Sequence, residues 1–270
     1  MKDITLKRLA RKLVRIEEDV RLIDAIRTMV ENKTRVVACG GERVLTAHSV
    51  IKAVLESEGD LASFLSKNLL FLAFKAKYVS ENRKLSYLVK NLKHFLLEGN
   101  VIVTGSSGKV TGYINPEDIF KYFGENFICN DINSAFFHPS KCLLVYANKS
   151  IKSTIKFLLK NGSSIVFVYS RSRYKGSVGI LDLLRELVAE KILEKVSLGD
   201  DGYFLHASIS ELNPSRKSAV DIENIGRSKL VAILTKFGHI AILKNDGLYR
   251  AIDDKNLLLY TVNILMARSK

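Results

Sequence analysis

The sequence predicts an α+β fold in which one β-α-β-β-α unit occurs four times along 270 residues. Short runs rich in Val and Ile, bounded by Gly and Ser, are typical of strands. Between these runs lie stretches whose apolar residues recur every three or four positions, as in amphipathic helices. Because strand, helix, strand, strand and helix follow in the same order each time, we predict a tandem repeat.

The second unit shows this order most clearly. It predicts a strand over 75–80, a helix over 84–99, strands over 100–105 and 109–114, and a helix over 115–123. The long helix has apolar residues at a helical period, namely Leu85, Leu88, Val89, Leu92, Phe95 and Leu96. The sequence TGSSGKV, which resembles half a phosphate-binding P-loop, is predicted to be the hairpin between the two strands.

The other three units follow the same plan. The first has predicted elements over 13–16, 20–32, 35–40, 43–47 and 48–57. The third has them over 142–149, 150–162, 164–170, 175–180 and 181–193, and the fourth over 219–224, 227–238, 239–245, 248–252 and 253–265. The final helix of each unit is predicted to begin at Thr46, Asn115, Gly179 and Asp253, respectively.

This order resembles the CBS motif, named for cystathionine β-synthase, whose final strand and helix commonly read G-h-h-[ST]-x-x-D, with h apolar. The resemblance covers nearly the whole chain and implies that tandem motifs pair into modules. Residues 1–126 are expected to form one module, with motifs at about 4–57 and 60–123. Residues 127–270 are expected to form the other, with motifs at about 131–195 and 203–268. Pairing is physically reasonable, since one three-stranded sheet cannot bury its exposed face alone.

The resemblance also implies that the clefts between paired motifs bind adenosine-containing ligands. In such proteins phosphate faces the N-terminus of the final helix and the aspartate of the motif binds the ribose hydroxyls. These roles agree with general chemistry, because free N–H groups and the helix dipole favour anions. A carboxylate can in turn accept hydrogen bonds from both hydroxyls of a ribose.

Two of the four copies keep the aspartate. GYINPED has Asn115 at the hydroxyl position and Asp118 as the aspartate, although the same stretch is also a well-formed helix start. GSVGILD keeps Asp182 and has Gly179 at the hydroxyl position, which leaves only backbone N–H groups. Asp118 and Asp182 are therefore the best ribose candidates, one in each module, with Asp118 placed slightly ahead.

The other two copies depart further from the motif. RVLTAHS keeps Thr46 but has Ser49 in place of the aspartate. YRAIDDKN puts Asp253 where phosphate would face it and has Asn256 in place of the aspartate, so we expect this site to bind nucleotide poorly.

Three cations on the approaches to the third and fourth motifs are candidates for phosphate binding. They are Lys141, Arg216 and Lys217. In a chain rich in lysine, simple solvated charge is the competing interpretation. His48, two residues beyond Thr46, is the one histidine placed near a predicted cleft.

The chain is strongly basic, with 42 Lys and Arg against 28 Asp and Glu and a formal net charge of +14. Anionic ligands or partners are therefore expected. Lys149, Lys152, Lys156 and Lys160 fall on one face of a predicted helix, and Arg171, Arg173 and Lys175 follow. Aromatic residues interleaved with these charges are not evident, so the sequence does not indicate a platform for single-stranded nucleic acid.

Several classes of protein are not expected. The basic N-terminus lacks the apolar core and cleavage site of a secretory signal, and no apolar run approaches membrane-spanning length. Three cysteines without a C-x-x-C pair argue against a disulfide framework or a zinc site. We expect a cytoplasmic protein that requires no metal or cofactor, and no residue pattern predicts an enzyme.

Three hypotheses for function follow. The first is a regulatory protein that binds AMP, ADP or ATP in its clefts and signals to a separate effector protein. The alternative is a nucleic-acid-binding protein that uses the basic surface and whose nucleotide clefts are vestigial. The third is a scaffold for a partner complex. A preference for S-adenosylmethionine and a homodimer both remain open at this point.

Overall fold

The computed structural model describes residues 3–57, 60–98, 100–127 and 142–267. Within them, the strands form four sheets, each built around a three-stranded core of one parallel and one antiparallel pair. Helices cover one face of each sheet, and the predicted α+β fold of four β-α-β-β-α motifs is confirmed. None of the helices in this part of the chain combines the length and apolarity needed to span a bilayer.

The first motif follows a short strand β1 (Arg11–Lys12). Its elements are β2 (Val14–Ile16), α1 (Leu22–Glu31), β3 (Val36–Cys39), β4 (Arg43–Thr46) and α2 (Ala47–Glu56). Thr46 caps α2 and forms a reciprocal capping box with Ser49.

The second motif differs from its prediction in one helix. A segment with α3 (Leu61–Ser66) and β5 (Phe74–Lys75) leads into β6 (Tyr78–Ser80), α4 (Leu85–Lys90), α5 (Leu92–Phe95), β7 (Leu96–Leu97), β8 (Asn100–Thr104), β9 (Val110–Ile114) and α6 (Pro116–Phe127). The single helix predicted over 84–99 is wrong. The helix breaks at Asn91, and Leu96 and Leu97 form β7, which pairs with β8 antiparallel.

The third and fourth motifs complete the repeat. The third contains β10 (Leu144–Tyr146), α7 (Ile151–Asn161), β11 (Ile165–Ser170), β12 (Arg173–Gly179) and α8 (Ile180–Leu187). A connection with α9 (Glu190–Ser197) and α10 (Tyr203–His206) leads to the fourth, which contains β13 (Ala219–Asp221), α11 (Arg227–Phe237), β14 (Ile240–Lys244), β15 (Gly247–Ile252) and α12 (Asp254–Ala267). The predicted helix 181–193 is thus two helices, α8 and α9.

Paired motifs exchange short segments across their sheets. Strand β1 precedes the first motif but pairs with β9 of the second, and β5 precedes the second motif but pairs with β4 of the first. Gly112 permits the first crossing, because a Cβ at this position would lie 2.6 Å from the carbonyl oxygen of Arg11. In the second pair, Ser215 bridges to Ser177 of β12 in the same way.

The exposed sheet faces are buried against each other within each pair of motifs. In the first pair the interface contains Leu13, Val36, Ala38, Val44, Ala76, Ile102, Val110 and Tyr113. In the second pair it contains Cys142, Phe167, Tyr174, Ala241, Leu243 and Ala251. This burial is the reason that the motifs occur in pairs.

The helical faces form cores that cross between the two pairs. The largest core combines α1, α2 and α3 with α7, α8, α9 and α10, so the first motif packs on the third. Two further cores bring the second motif against the fourth, where Phe120 of α6 packs among residues of α11 and α12. The four motifs therefore share one continuous structure. The predicted module boundary at residues 126 and 127 borders the segment 128–141, which lies outside the described residues, and it stays a prediction.

Candidate functional site

A cavity of about 940 Å³ opens between the third and fourth motifs. Its walls are the end of β12, the start of α8, the segment 212–218 that enters β13, and the start of β14. Four sequence-predicted residues line it together, namely Gly179, Asp182, Arg216 and Lys217. The fold thus brings Asp182 of the third motif close to the basic segment 212–218 that leads into the fourth motif, which we call the approach segment.

Close packing of the approach segment shapes one wall of this cavity. Gly176 in β12 has a φ of +148°, and a Cβ there would lie 2.4 Å from the carbonyl oxygen of Pro214. Only glycine allows the two backbones to approach so closely. The contact holds residues 215–218 over the end of β12, where Arg216 and Lys217 reach the cavity.

Asp182 stands at the rim, with a side chain that is 36% exposed. Its Oδ2 accepts a hydrogen bond from the backbone N–H of Gly179 at 2.8 Å, and its Oδ1 accepts one from Nη1 of Arg185 at 2.7 Å. The N–H of Ile180 donates to the carbonyl of Ser164 at 2.9 Å. The N–H groups of Gly179 and Ile180 are therefore already used, and the side-chain cations around the cavity supply further donors for an anion.

Five cations line the cavity, and two come from the first motif. Lys33 and Arg35 reach it from the connection between α1 and β3, while Arg185, Arg216 and Lys217 belong to the cleft itself. Arg216 pairs with Asp246 at 3.5 Å, with both side chains more than half exposed, and its guanidinium lies 6.0 Å from the centroid of the Tyr174 ring. Such a surface pair holds its charges weakly, so Arg216 can turn to another anion at little cost.

His239 forms part of the buried floor. Its Nδ1 lies 2.8 Å from the carbonyl oxygen of Phe237, so this nitrogen donates and Nε2 accepts from the hydroxyl of Ser177 at 3.0 Å. Burial lowers the pKa of His239, which keeps the ring neutral near pH 7. The Ser177 hydroxyl also lies 3.3 Å from the carbonyl oxygen of Ser215, so this cluster joins the third motif to the fourth.

Arg35 is the most constrained cation at the cavity. Its Nη1 lies 2.9 Å from Oδ2 of Asp254, and the two side chains are 12% and 3% exposed. Oδ1 of the same carboxylate accepts hydrogen bonds from the hydroxyl of Ser163 and the N–H of Ser164. Burial opposes ionisation of Asp254, but Arg35 and these donors outweigh it and lower its pKa. One ion pair therefore links the first, third and fourth motifs beside the cavity.

In the second motif, Asp118 is paired with an internal cation. Nε of Arg11 lies 2.7 Å from Oδ1 of Asp118, while Oδ2 accepts the N–H of Asn115 at 2.9 Å. Burial raises the pKa of Asp118 even though Arg11 opposes that shift. Arg11 belongs to the segment that crosses to β9, and Arg216 belongs to the segment that crosses to β12 in the second pair. Asp118 is thus a capping and ion-pairing residue in this structure.

The remaining predicted positions lie apart from the large cavity. Thr46 is fully buried in its capping box, and His48 is buried beside the carbonyl oxygen of Ser163, with Nε2 at 3.4 Å. Asp253 is buried and accepts hydrogen bonds from the backbone and side chain of Asn256, both at 2.8 Å. Lys141 lies outside the described residues.

Sequence reasoning missed Lys33, Arg35 and His239. Each follows the first helix of a motif and precedes its second strand, in the segments NKTRVV and KFGHIA. The corresponding segment of the third motif, KNGSSI, supplies Ser163 and Ser164 to the same region. The repeated position before the second strand was a signal for cleft residues, in addition to the start of the final helix.

Comparison with solved structures agrees with this architecture. Protein MJ1225 from Methanocaldococcus jannaschii, described as a candidate archaeal homologue of g-AMPK, aligns with a TM-score of 0.79 over 95% of this chain and 99% of its own, at 14% identity. This chain has a tandem CBS-motif fold. An uncharacterised protein from Pyrococcus horikoshii aligns over 96% of this chain and 100% of its own, with a TM-score of 0.53 and 17% identity.

A shorter alignment involves the CBS domain protein PAE2072 from Pyrobaculum aerophilum, solved in complex with AMP. It covers 43% of this chain and 90% of that protein, with a TM-score of 0.37 and 14% identity. No protein-family model matches the sequence. No curated protein matches it either. The assignment of the CBS-motif fold is therefore supported by the order of elements in the repeat and by the full-length structural similarity.

Proposed function

We propose that this chain is a regulatory protein that binds an adenine nucleotide in the cleft between its third and fourth CBS motifs. The observation that carries the proposal is the cavity of about 940 Å³ that brings Gly179 and Asp182 together with Arg216 and Lys217. In this proposal Asp182 of the third motif binds the ligand, and Asp118 of the second motif does not.

In this proposal the ribose hydroxyls hydrogen-bond to Asp182. The carboxylate is at the rim of the cavity, and its Oδ1 partner, Arg185, is a largely exposed side chain that can move aside. Charge-assisted hydrogen bonds to a carboxylate contribute about 1.5–3 kcal/mol each. The glycine at position 179 leaves space for the ligand where other motifs carry a side chain.

The phosphate groups bind the cations rather than the start of α8. Lys33 and Arg35 approach from the first motif, and Arg216 and Lys217 from the fourth. This concentration of positive charge favours AMP, ADP or ATP over S-adenosylmethionine, whose sulfonium group is itself positive. We propose that affinity rises with the number of phosphate groups.

Signalling follows from the position of Arg35. A phosphate group that binds Arg35 competes with Asp254, and that ion pair connects three of the four motifs. Occupancy of the cleft then changes the balance between two arrangements of the motifs. A separate effector protein responds if it binds one arrangement more tightly.

Isothermal titration of the full chain with adenosine, AMP, ADP, ATP and S-adenosylmethionine tests the proposal. Asp182→Asn should weaken nucleotide binding about tenfold or more, because an amide is a weaker acceptor than a carboxylate. Asp118→Asn is the matched control, since Asp118 is held by Arg11, and it should leave affinity within about twofold. The proposal is wrong if no adenosine ligand binds, or if both variants bind nucleotide as the wild type does.

A further inference from the structure

A shallow groove of about 320 Å³ lies along helix α7 and strand β10 of the third motif. Strand β10 is one edge of this sheet, and β12, which leads into the large cavity, is the other edge. The walls of the groove include Tyr146, Tyr169, Phe157 and Lys149. These residues take no part in the nucleotide cleft. The groove therefore needs an explanation of its own.

Aromatic side chains form the walls of this groove. Tyr146 is 53% exposed and Phe157 is 38% exposed, which is high for residues of this size. Parallel pairing of β10 with β11 sets Tyr146 beside Tyr169, and their ring centroids lie 4.2 Å apart at an interplanar angle of 44°. Sequence reasoning found no aromatic platform here, because Tyr146 and Tyr169 come from strands and meet Phe157 of α7 only in the folded chain.

The charge around the groove is of one sign. Residues 142–181 contain no Asp or Glu but seven basic residues, namely Lys149, Lys152, Lys156, Lys160, Arg171, Arg173 and Lys175. Within the described residues, Lys149, Lys156 and Lys160 are exposed and form no ion pair. Lys156 and Lys160 flank Phe157 on the exposed face of α7. Arg171 follows Tyr169 by two residues, in the turn between β11 and β12.

We propose that this aromatic and basic groove binds single-stranded RNA. Bases can stack on the exposed rings of Tyr146 and Phe157, and the lysines can contact successive phosphates. A duplex keeps its bases stacked internally and cannot use these rings, whereas an unpaired strand can. An anionic membrane is a poorer match, since the rings stand side by side in a depression and do not project as an apolar wedge.

Ser153 favours RNA over DNA. Its side chain lines the groove, and its hydroxyl proton is donated to the carbonyl oxygen of Ser150 at 2.9 Å. The Ser153 oxygen is left to accept a hydrogen bond. A ribose 2′-hydroxyl can donate that bond and a deoxyribose cannot.

Fluorescence anisotropy with a labelled oligouridylate of about 12 nucleotides, at about 50 mM salt, tests the proposal on the full chain. We expect the RNA to bind more tightly than the matched deoxythymidylate, with no comparable binding of a duplex of the same length. Tyr146→Ala with Phe157→Ala should weaken RNA binding by about tenfold or more. Both side chains are exposed, so this variant should fold, which its circular dichroism and nucleotide binding will verify.

Charge reversal supplies the matched control. Lys149→Glu, Lys156→Glu and Lys160→Glu together should abolish binding, because three phosphate contacts become repulsive. Lys52→Glu, Lys121→Glu and Lys229→Glu change the net charge equally on other helices and should weaken binding far less. An equal loss of RNA affinity in the two triple variants would show that net charge alone attracts the RNA, and it would overturn the proposal. So would unchanged affinity in the aromatic variant, equal binding of RNA and DNA, absence of RNA binding, or binding to anionic phospholipid vesicles in place of RNA.

Discussion

At the scale of single residues, equivalent positions in the repeat have different partners. Asp118 and Asp182 both stand three residues beyond the start of a final helix, and both bond the N–H at that start. The second carboxylate oxygens have different partners. Asp118 pairs with Arg11 from the exchanged segment of the first motif, whereas Asp182 pairs with the exposed Arg185 of its own helix. The same motif aspartate can therefore have a cation from the partner motif or one from its own helix as its ion-pair partner. The approach segment decides whether its carboxylate is already neutralised.

Asp253 gives a residue-scale prediction of pH dependence. Burial, together with the neighbouring Asp254 carboxylate, raises its pKa from the ordinary 3.8 to about 7. Between pH 4 and pH 7 the unfolded chain loses this proton while the native protein keeps it, so the free energy of unfolding falls as pH rises. Asp253→Asn cannot ionise and still accepts the hydrogen bonds of Asn256.

We therefore expect Asp253→Asn to match the wild type near pH 4 and to be more stable at pH 8 by at most about 4 kcal/mol. Urea unfolding at pH 4.5, 6 and 8 measures this difference. Asp19→Asn, on an exposed loop, is the control and should follow the wild-type curve. A difference between Asp253→Asn and wild type that does not grow with pH would contradict the role given to the carboxyl group.

At the scale of elements, the exchanged segments determine the shape of each cleft. Backbones cross with no room for a side chain at Gly112 and Gly176, and these crossings bring Arg11 and Arg216 to the clefts. Both pairs of motifs have such a crossing, but the arginine that it brings has a different role in each. In one the arginine pairs with the motif aspartate, and in the other it lines the cavity that this aspartate borders.

Gly176→Ala tests this packing. The new methyl group would lie 2.4 Å from the carbonyl oxygen of Pro214, and the φ of +148° is itself unfavourable for alanine. We expect a loss of at least about 2 kcal/mol in the free energy of unfolding, with a parallel loss of nucleotide affinity as residues 215–218 move. Chemical denaturation and calorimetry provide the two values.

Gly226→Ala is the matched control, because a Cβ at Gly226 meets no atom within 4 Å and the backbone there is extended. Its stability should change by less than about 1 kcal/mol. Similar losses in the two variants would contradict the steric explanation.

At the scale of the whole molecule, the two pairs of motifs share cores and an ion pair, so we expect them to unfold as one cooperative body. The largest core joins helices of the first and third motifs, and the ion pair between Arg35 and Asp254 joins the first, third and fourth. We therefore expect a change at this ion pair to affect three motifs together. The same arrangement supplies the route from nucleotide to partner in the proposed function.

Removing one member of this ion pair should destabilise the whole chain. Arg35→Met leaves the Asp254 carboxylate buried without its cation, at a cost of about 3–5 kcal/mol. Adding Asp254→Asn should recover much of that loss, because the amide keeps an acceptor for Ser163 and Ser164. Lys52→Met, which removes the exposed pair between Lys52 and Glu56, should cost less than about 1 kcal/mol.

Urea unfolding followed by both circular dichroism and Tyr fluorescence measures these values. Coincident single transitions are expected for the wild type and for all three variants. Two separate transitions, or equal costs for Arg35→Met and Lys52→Met, would show that the ion pair does not couple the motifs.

The repeat itself was determined by the sequence. Strand and helix patterns are local, so the four motifs and the four starts of the final helices, at Thr46, Asn115, Gly179 and Asp253, could be predicted without knowledge of the packing. Local patterns failed at residues 84–99, where pairing of Leu96 and Leu97 with β8 outweighs the helical period.

Only the tertiary structure decided which side chains meet at each cleft. Arg11 neutralises Asp118 across 107 positions of sequence, and Arg35 meets Asp254 across 219. The groove rings of Tyr146, Phe157 and Tyr169 likewise come from three separate elements. Spacing along a chain carries no information about such pairs, because burial between sheets and helices selects the partner of each charge and each ring.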